Sequence, residues 1–176
     1  MALFKDDPGA LSRAEFLARF GGVYEHSPWI AEAAWEAGLP ERARDPAVLA
    51  TAFAARVEAA PRDRQLALLR AHPDLAGRLA ISGALTAAST EEQAGAGLDR
   101  CTPEEFEAFT RLNADYRARF GFPFIIAVRG RTRQEILAIF RERLGHEPEA
   151  EFRQALAQVH RIARLRLEAL AEAGGG

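Results

Sequence analysis

Residues 102–121 have the sequence TPEEFEAFTRLNADYRARFG, and this stretch decides the fold class. Thr102 and Glu105 form a capping-box pattern around Pro103, a favourable residue for the first turn of a helix. Gly121 is a typical stop signal. Apolar side chains three or four residues apart follow the start: Phe106, Phe109, Leu112, Tyr116 and Phe120. The stretch therefore predicts one long amphipathic helix with a continuous apolar face.

The same start and stop signals recur along the rest of the chain. Capping-box pairs, a Ser-Pro or Asp-Pro pair, or a single proline mark the predicted starts, and glycines mark most of the ends. Further starts are predicted at Ser12 with Glu15, Ser27-Pro28, Asp45-Pro46, Pro61, Thr132 with Glu135, and Pro148. About seven or more helices with short connections favour a compact all-α bundle. We expect a single domain over residues 1–173 and a glycine tail at 174–176.

One short stretch departs from this pattern. Residues 123–128, PFIIAV, are continuously apolar between Gly121 and Gly130, and they are too few for an ordinary helix. We expect a buried extended segment here. Without a β partner, its backbone amides must be satisfied by water, by side chains or by a bound ligand.

Composition limits the partners and the compartment. Of the 176 residues, 48% are hydrophobic and 27% charged, and the formal net charge of −2 gives no overall case for nucleic-acid binding. No apolar run approaches the roughly 20 residues that span a bilayer. The single cysteine, Cys101, excludes an intramolecular disulfide. We expect a cytoplasmic protein that has neither a membrane nor a nucleic acid as its partner.

His72 is the first candidate for chemistry. It lies in AHPDLAG, residues 71–77, at the last position of a helix predicted from Pro61 to Ala71. Pro73 disfavours helical geometry at His72, so the imidazole would project from a rigid corner. Histidine can transfer protons near neutral pH, as a general acid or base must. The alternative is that His72 only bonds the terminal carbonyls of its helix.

Ser89, Glu92 and Gln93 form the second candidate group. Ser89 and Glu92 fit a capping box, which is the structural explanation for both residues. The functional explanation is that a first-turn glutamate is a rigidly mounted carboxylate. With Gln93 beside it as donor and acceptor, this corner could hold a polar heterocycle or a urea group.

The apolar segment and the last predicted helix supply the remaining candidates. The segment's backbone amides could hold the edges of a planar ligand while Phe124 and Ile126 exclude water, and the alternative is simple core. Arg166 lies four residues after Ile162, on the same face of its helix. An arginine there points inward only if it meets an anion or a carbonyl, because an unpaired buried charge is costly. A substrate carboxylate or carbonyl would fit.

These residues leave several classes of function open. Histidine with glutamate can also bind a metal, but no His-x-x-x-His, His-Glu-x-x-His or Cys-x-x-Cys spacing occurs, so we expect no metal. A non-catalytic helical regulator or scaffold that binds a small molecule is one alternative. A second alternative is an enzyme of a different activity on a helical scaffold, such as a lyase that acts on a ureido acid or a heterocycle.

Three motifs stand together in this chain: AHPDLAG at 71–77, Ser89-x-x-Glu92-Gln93, and FGFPFIIAVR at 120–129. The combination resembles the OHCU decarboxylase family, whose members act on 2-oxo-4-hydroxy-4-carboxy-5-ureidoimidazoline in urate breakdown. Residues 24–29 and 162–167 are similar to the family's ends, so the resemblance covers nearly the whole chain. Fused relatives carry an added hydrolase domain for which this chain has no room, so we expect a stand-alone enzyme.

The resemblance implies an all-α fold, usually a homodimer, and a decarboxylation that uses no cofactor and yields (S)-allantoin from a small-molecule substrate. It implies that His72 and Glu92 are catalytic. The implied substrate contacts are Pro73, Ser89, Glu92, Gln93, Phe124, Ile125, Ile126, Ala127, Val128 and Arg166.

Such a decarboxylation is chemically reasonable without a cofactor, because a ring C=N next to the reacting carbon can accept the electron pair. Under this hypothesis His72 transfers the proton, either from the hydroxyl of the reacting carbon or to the enol-like intermediate. Glu92 and Gln93 would hold N–H and carbonyl edges, and Arg166 a carbonyl or a carboxylate.

Overall fold

The computed structural model describes residues 2–77 and 85–174. The α-helices of these residues are α1 (Arg13–Phe20), α2 (Trp29–Glu36), α3 (Pro46–Glu58), α4 (Arg62–Arg70), α5 (Ala87–Gly95), α6 (Pro103–Phe120), α7 (Arg133–Leu144) and α8 (Pro148–Ala173). Two 3₁₀ helices, Pro8–Ala10 and Leu98–Arg100, complete the regular structure of this part, which contains no strand. The predicted all-α fold is confirmed, and no helix of the described residues is long and apolar enough to span a bilayer.

Most of the predicted helix ends are confirmed. Reciprocal capping boxes join Ser12 to Glu15, Thr102 to Glu105 and Thr132 to Glu135. Gly121 has φ +78 and Gly38 has φ +85, the left-handed conformation expected just after a helix. The last two residues of the glycine tail lie outside the described residues.

The start of α2 differs from the prediction. Pro28, not Ser27, occupies the N-cap position, and no side chain caps this end. The Ser27 hydroxyl instead donates to the Glu25 carbonyl at 2.9 Å. The hydroxyl is used within its own turn because serine bonds nearby backbone groups readily.

The apolar face predicted for α6 is also partly wrong. Phe106 is 36% exposed, so the N-terminal end of that face does not join the core. The buried face of α6 instead consists of Phe109, Asn113 and Tyr116, which includes one polar side chain.

The chain folds into two compact units: residues 1–71 with 160–176, and residues 72–159. The core of the first unit is aromatic, with the Phe16 ring 6.1 Å from the Phe53 ring in an edge-to-face arrangement. In the second unit the Phe124 ring stacks on the Phe140 ring at 3.8 Å, and Tyr116 meets both rings edge-on. The second unit holds every predicted site residue except Arg166.

Candidate active site

The turn that follows α4 carries His72. The helix ends at Arg70 and Ala71 is its C-cap, so His72 lies two residues beyond the helix instead of at its last position. The helix ends before His72 because Pro73 disfavours helical geometry at the preceding residue. His72 is 6% exposed, and it therefore sits in a buried corner of the second unit.

Residues 72–77 form an irregular turn that is tied to both α5 and α6. The Ala76 N–H donates to Gln93 Oε1 at 3.0 Å, and Asn113 Nδ2 donates to the Leu75 carbonyl at 2.9 Å. On the outside, Arg117 Nε donates to Asp74 Oδ1 at 2.9 Å. The two buried bonds hold the backbone just after His72 in one conformation.

The turn also stores backbone strain. Ala76 has φ +49, a left-handed conformation that alanine rarely adopts. A Cβ added to Gly77 would lie 2.8 Å from the Asp74 Cβ, so the turn has no room for a side chain there. Strain of this kind persists only where the surrounding structure enforces it, and it is frequent at functional sites.

The capping role predicted for Ser89 is wrong. Helix α5 begins at Ala87, and its N-cap is Thr86, whose hydroxyl accepts from the Ser89 N–H at 3.2 Å. The helix begins after Thr86 because threonine is a good N-cap residue and the two alanines that follow it strongly favour helix. Glu92 consequently lies in the middle of α5 instead of its first turn.

The buried side of α5 nevertheless holds the predicted polar residues. Ser89 and Gln93, four residues apart, are each 5% exposed, and Glu92 beside them is half-buried. Gln93 uses its carbonyl for Ala76, and its Nε2 lies 3.4 Å from the Asp74 carbonyl. In this structure Gln93 therefore supports the His72 turn directly.

Helix α6 connects the His72 turn with the apolar segment (residues 123–128). Asn113 and Tyr116 are three residues apart and share a face. Asn113 bonds the Leu75 carbonyl, and the Tyr116 ring lies 5.5 Å from the Phe124 ring. The turn and the segment thus lie against successive turns of one helix. Asn113 Oδ1 is buried and has no hydrogen-bond partner among the described residues.

The apolar segment is buried and non-helical, as expected. Its residues 124–128 are each at most 6% exposed and belong to no helix or strand. Side chains anchor three of its backbone groups. Arg143 Nη1 donates to the Ile125 carbonyl at 2.6 Å, the Ala127 N–H donates to Gln158 Oε1 at 3.0 Å, and Arg131 Nε donates to the Ala127 carbonyl at 3.3 Å.

These anchors leave a distinct set of backbone groups on the segment. Within residues 124–128, no hydrogen bond among the described residues uses either backbone group of Phe124 or Ile126, or the N–H of Ile125 or Val128. Buried peptide groups without partners are rare in folded proteins. The Ala127 N–H, by contrast, is already engaged by Gln158, so the segment can offer a ligand the Ile126 peptide groups more readily than that amide.

Arg166 lies in the first unit, where it forms an ion pair with Glu25. Its Nη1 lies 2.8 Å from Glu25 Oε2 and donates to the Val23 carbonyl at 3.2 Å. Both side chains of this ion pair are buried. The expected inward-pointing arginine therefore has an anionic partner within the protein.

Three residues that support the His72 turn or the apolar segment were not predicted from the sequence: Asn113, Arg143 and Gln158. Asn113 carried a detectable signal, since a polar residue between Phe109 and Tyr116 interrupts the apolar face. Arg143 and Gln158 carried none, because both are ordinary residues for a helix surface.

The surroundings of Cys101 disfavour its thiolate form. Burial raises the pKa of its thiol, with a smaller contribution from the Glu105 carboxylate. Its Sγ lies 3.4 Å from the Leu98 carbonyl. No cluster of three or more metal-ligating side chains occurs among the residues that the structure describes.

Comparison with known proteins gives a consistent result. Residues 9–168 match the profile of the OHCU decarboxylase family. The 2-oxo-4-hydroxy-4-carboxy-5-ureidoimidazoline decarboxylase of Haloferax volcanii is 47% identical over 152 residues, which cover 86% of each chain. The protein of that name from Mus musculus is 42% identical and covers 87% of this chain and 84% of its own.

Solved structures are similar as well. The crystal structure of (S)-allantoin synthase matches 96% of this chain with a TM-score of 0.75 and 37% identity. The match covers 53% of that chain, so the present chain spans about half its length. An OHCU decarboxylase crystallised in the presence of (S)-allantoin has a TM-score of 0.67 at 24% identity, which shows a common fold.

Proposed function

The chain belongs to the OHCU decarboxylase family, and we propose that it decarboxylates 2-oxo-4-hydroxy-4-carboxy-5-ureidoimidazoline to (S)-allantoin without a cofactor, as a step of urate breakdown. The observation that carries this proposal is the 47% identity to a relative of that name over 86% of both chains. The arrangement of the second unit supports it, because a buried histidine and a set of unpaired buried peptide groups lie against one helix.

The reaction needs an electron sink, a positioned substrate and the net uptake of one proton. When the bond from the ring carbon to the carboxylate breaks, its electron pair forms a C=C bond to the carbon that bears the ureido group, and the former C=N pair moves to the ring nitrogen, which takes up a proton. The enol hydroxyl then gives up its proton and becomes a carbonyl as a proton is added to the ureido-bearing carbon. The protein has to hold the ring so that the breaking bond overlaps the π-system, and it has to deliver the proton to one face.

His72 is the proposed proton-transfer residue. The backbone that follows it is fixed by Gln93 and Asn113, so the turn presents His72 from a defined place in the second unit. A general acid or base of this kind typically contributes about 10²–10⁴-fold to the rate. Pro73 would contact the substrate at the same corner.

The polar edges of the substrate would be held by α5 and by the apolar segment. Ser89, Glu92 and Gln93 would bind N–H and carbonyl groups of the ring and the ureido chain. The Ile126 peptide offers one donor and one acceptor, the complement of a cyclic amide edge, and Phe124, Ile125, Ala127 and Val128 would enclose it. An apolar wall would favour the loss of a charged carboxylate as neutral CO₂, an effect whose interpretation as desolvation is debated.

Arg166 remains a proposed contact for a substrate carbonyl or carboxylate. A guanidinium has five N–H donors, so its pairing with Glu25 is compatible with a second acceptor. We also propose a homodimer in the cytoplasm, in line with the family resemblance. Light scattering on the purified protein tests the dimer, and a single-chain mass would contradict it.

The direct test of the function uses the unstable substrate itself. The hydrolysis product of 5-hydroxyisourate is generated fresh and divided between buffer and buffer with protein. We expect faster decay of its absorbance and optically pure (S)-allantoin with the protein. An unchanged spontaneous rate with racemic allantoin would overturn the proposal, and binding without turnover would indicate a non-catalytic ligand-binding protein.

A further inference from the structure

Two side chains that are not among the proposed substrate contacts hydrogen-bond to the backbone of the apolar segment. Arg143 on α7 donates from Nη1 to the Ile125 carbonyl, and its guanidinium carbon lies 4.5 Å from the centre of the Phe124 ring. Gln158 on α8 accepts the Ala127 N–H. The two contacts flank Ile126 on either side in sequence.

The Arg143 guanidinium is itself held by a buried carboxylate. Its Nε donates to Glu151 Oε1 at 2.7 Å, and Nη2 lies 2.6 Å from the same oxygen as an ion-pair contact without hydrogen-bond geometry. The Tyr116 hydroxyl donates to that oxygen at 2.6 Å. His146 Nδ1 lies 3.0 Å from the other oxygen, Oε2.

Burial, with the neighbouring Glu151 carboxylate as the next cause, raises the pKa of Tyr116 well above its ordinary value. The phenol therefore stays protonated and keeps donating. Arg143 and Glu151 are 3% and 0% exposed in their side chains. A buried ion pair is poor evidence for stability, since its desolvation cost is close to its Coulombic gain, and an apolar pair can replace it. An apolar pair could not bind the Ile125 carbonyl.

The hydrogen bonds of the Ile125 carbonyl and the Ala127 N–H also set the directions of the Ile126 N–H and carbonyl. The described residues contain no cis peptide bond, so each carbonyl points opposite to the N–H of the next residue. The Ile125 carbonyl points at Arg143, and the Ile126 N–H therefore points away from Arg143. The Ala127 N–H points at Gln158, and the Ile126 carbonyl therefore points away from Gln158.

We propose that Arg143 and Gln158 are positioning residues that fix the two peptide planes around Ile126, so that its N–H and carbonyl meet the amide edges of the substrate. This inference rests on the proposed function. Neither side chain touches the substrate in this scheme. Each acts through the backbone group it holds, and Glu151 with Tyr116 acts through Arg143.

The test compares variants that keep or remove each anchor. Gln158→Leu removes the acceptor for Ala127, whereas Gln158→Glu retains an acceptor oxygen, and the control is Gln154→Leu on an exposed position of the same helix. Arg143→Lys keeps the charge but loses the planar fork. Its control is Arg141→Lys, which is exposed on α7. The readouts are kcat and KM for the substrate, inhibition by (S)-allantoin, and thermal unfolding.

We expect Gln158→Leu to raise KM and the inhibition constant of (S)-allantoin and to lower kcat/KM by about ten- to hundredfold, since small misplacements of a bound group have such effects. Gln158→Glu should keep most of the parent's kcat/KM, and the Gln154→Leu control should behave as the parent protein. Arg143→Lys should show the same kinetic change together with a lower unfolding temperature.

A Gln158→Leu protein that unfolds earlier but has unchanged KM and inhibition constant would overturn the proposal, because Gln158 would then be structural only. If Arg143→Lys does not fold, the Gln158 series decides alone. A parent protein without decarboxylase activity would overturn the proposed function instead, so the two failures are distinguishable.

Discussion

Gln93 and Ala76 are joined by a buried hydrogen bond that spans 17 positions of sequence, with the Ala76 N–H 3.0 Å from Gln93 Oε1. Ala76 has φ +49, a conformation that costs alanine about 1–2 kcal/mol. The bond from Gln93 stabilises this strained backbone four residues after His72. Gln93 therefore has a structural role in the turn in addition to its proposed contact with the substrate.

Replacing Gln93 by leucine should lower both stability and activity. The Ala76 N–H would lose its acceptor inside the protein, which typically costs about 1–3 kcal/mol. Gln93→Glu retains an acceptor oxygen and should cost less. Urea unfolding at neutral pH measures the difference, and equal stabilities of the two variants would contradict this role for the Gln93 carbonyl.

Gly77→Ala should strain the same turn. The new Cβ would lie 2.8 Å from the Asp74 Cβ, and overpacking of this kind costs about 1–3 kcal/mol. The matched control is Gly95→Ala at the end of α5, where a Cβ would have no atom within 4 Å. In the Asp74→Gly background the effect of Gly77→Ala should shrink, because the clashing atom is gone. An unchanged effect would show that the strain arises elsewhere.

His72→Asn should reduce turnover by about 10²–10⁴-fold with the fold intact, since asparagine cannot exchange a proton near neutral pH. Steady-state kinetics on fresh substrate give the size of the loss. Circular dichroism and the unfolding temperature check that the variant is folded. Full activity in a folded His72→Asn protein would show that another group transfers the proton.

Tyr116→Phe should destabilise the protein more than Tyr24→Phe. The Tyr116 hydroxyl donates to the buried Glu151 carboxylate at 2.6 Å, and hydrogen bonds to charged groups contribute about 1.5–3 kcal/mol. The Tyr24 hydroxyl lies 2.9 Å from a ring nitrogen, His160 Nδ1, and not from a carboxylate, and a typical hydrogen bond contributes about 0.5–1.5 kcal/mol. Denaturant unfolding of the two variants provides the comparison, and the opposite order would contradict the argument.

Glu105→Gln should weaken the acid sensitivity of folding. The Thr102 backbone N–H, followed by the Arg133 side chain, holds the pKa of Glu105 below its ordinary value of 4.5. A lowered folded-state pKa means that the carboxylate contributes stability above about pH 4.5, and that this contribution is lost as the pH falls through the folded pKa. Between neutral and acid pH, the parent should therefore lose more stability than Glu105→Gln. If the unfolding free energies of the parent and Glu105→Gln change in parallel with pH, Glu105 makes no such contribution. The control is Glu107→Gln, which is exposed on the same helix.

Local signals in the sequence were sufficient for the helices. The capping boxes at Thr102 and Thr132 were predictable because each involves residues only three positions apart. The cap of α5 was predicted at the wrong residue, since Thr86 and Ser89 are both good N-caps and the pattern cannot rank them. The exposure of Phe106 was not predictable either, because periodicity identifies a face without showing where its partner ends.

The sequence by itself determined the all-α class, most helix ends and the motif residues of the proposed site, because caps, glycines and apolar spacing act over a few residues. Only the tertiary structure decided that Gln93 supports the His72 turn, that Arg166 pairs with Glu25, and that Arg143 and Gln158 anchor the apolar segment. Those contacts join residues between 17 and 141 positions apart. A hydrogen bond depends on distances of a few ångströms, and no local pattern encodes which distant groups folding brings that close.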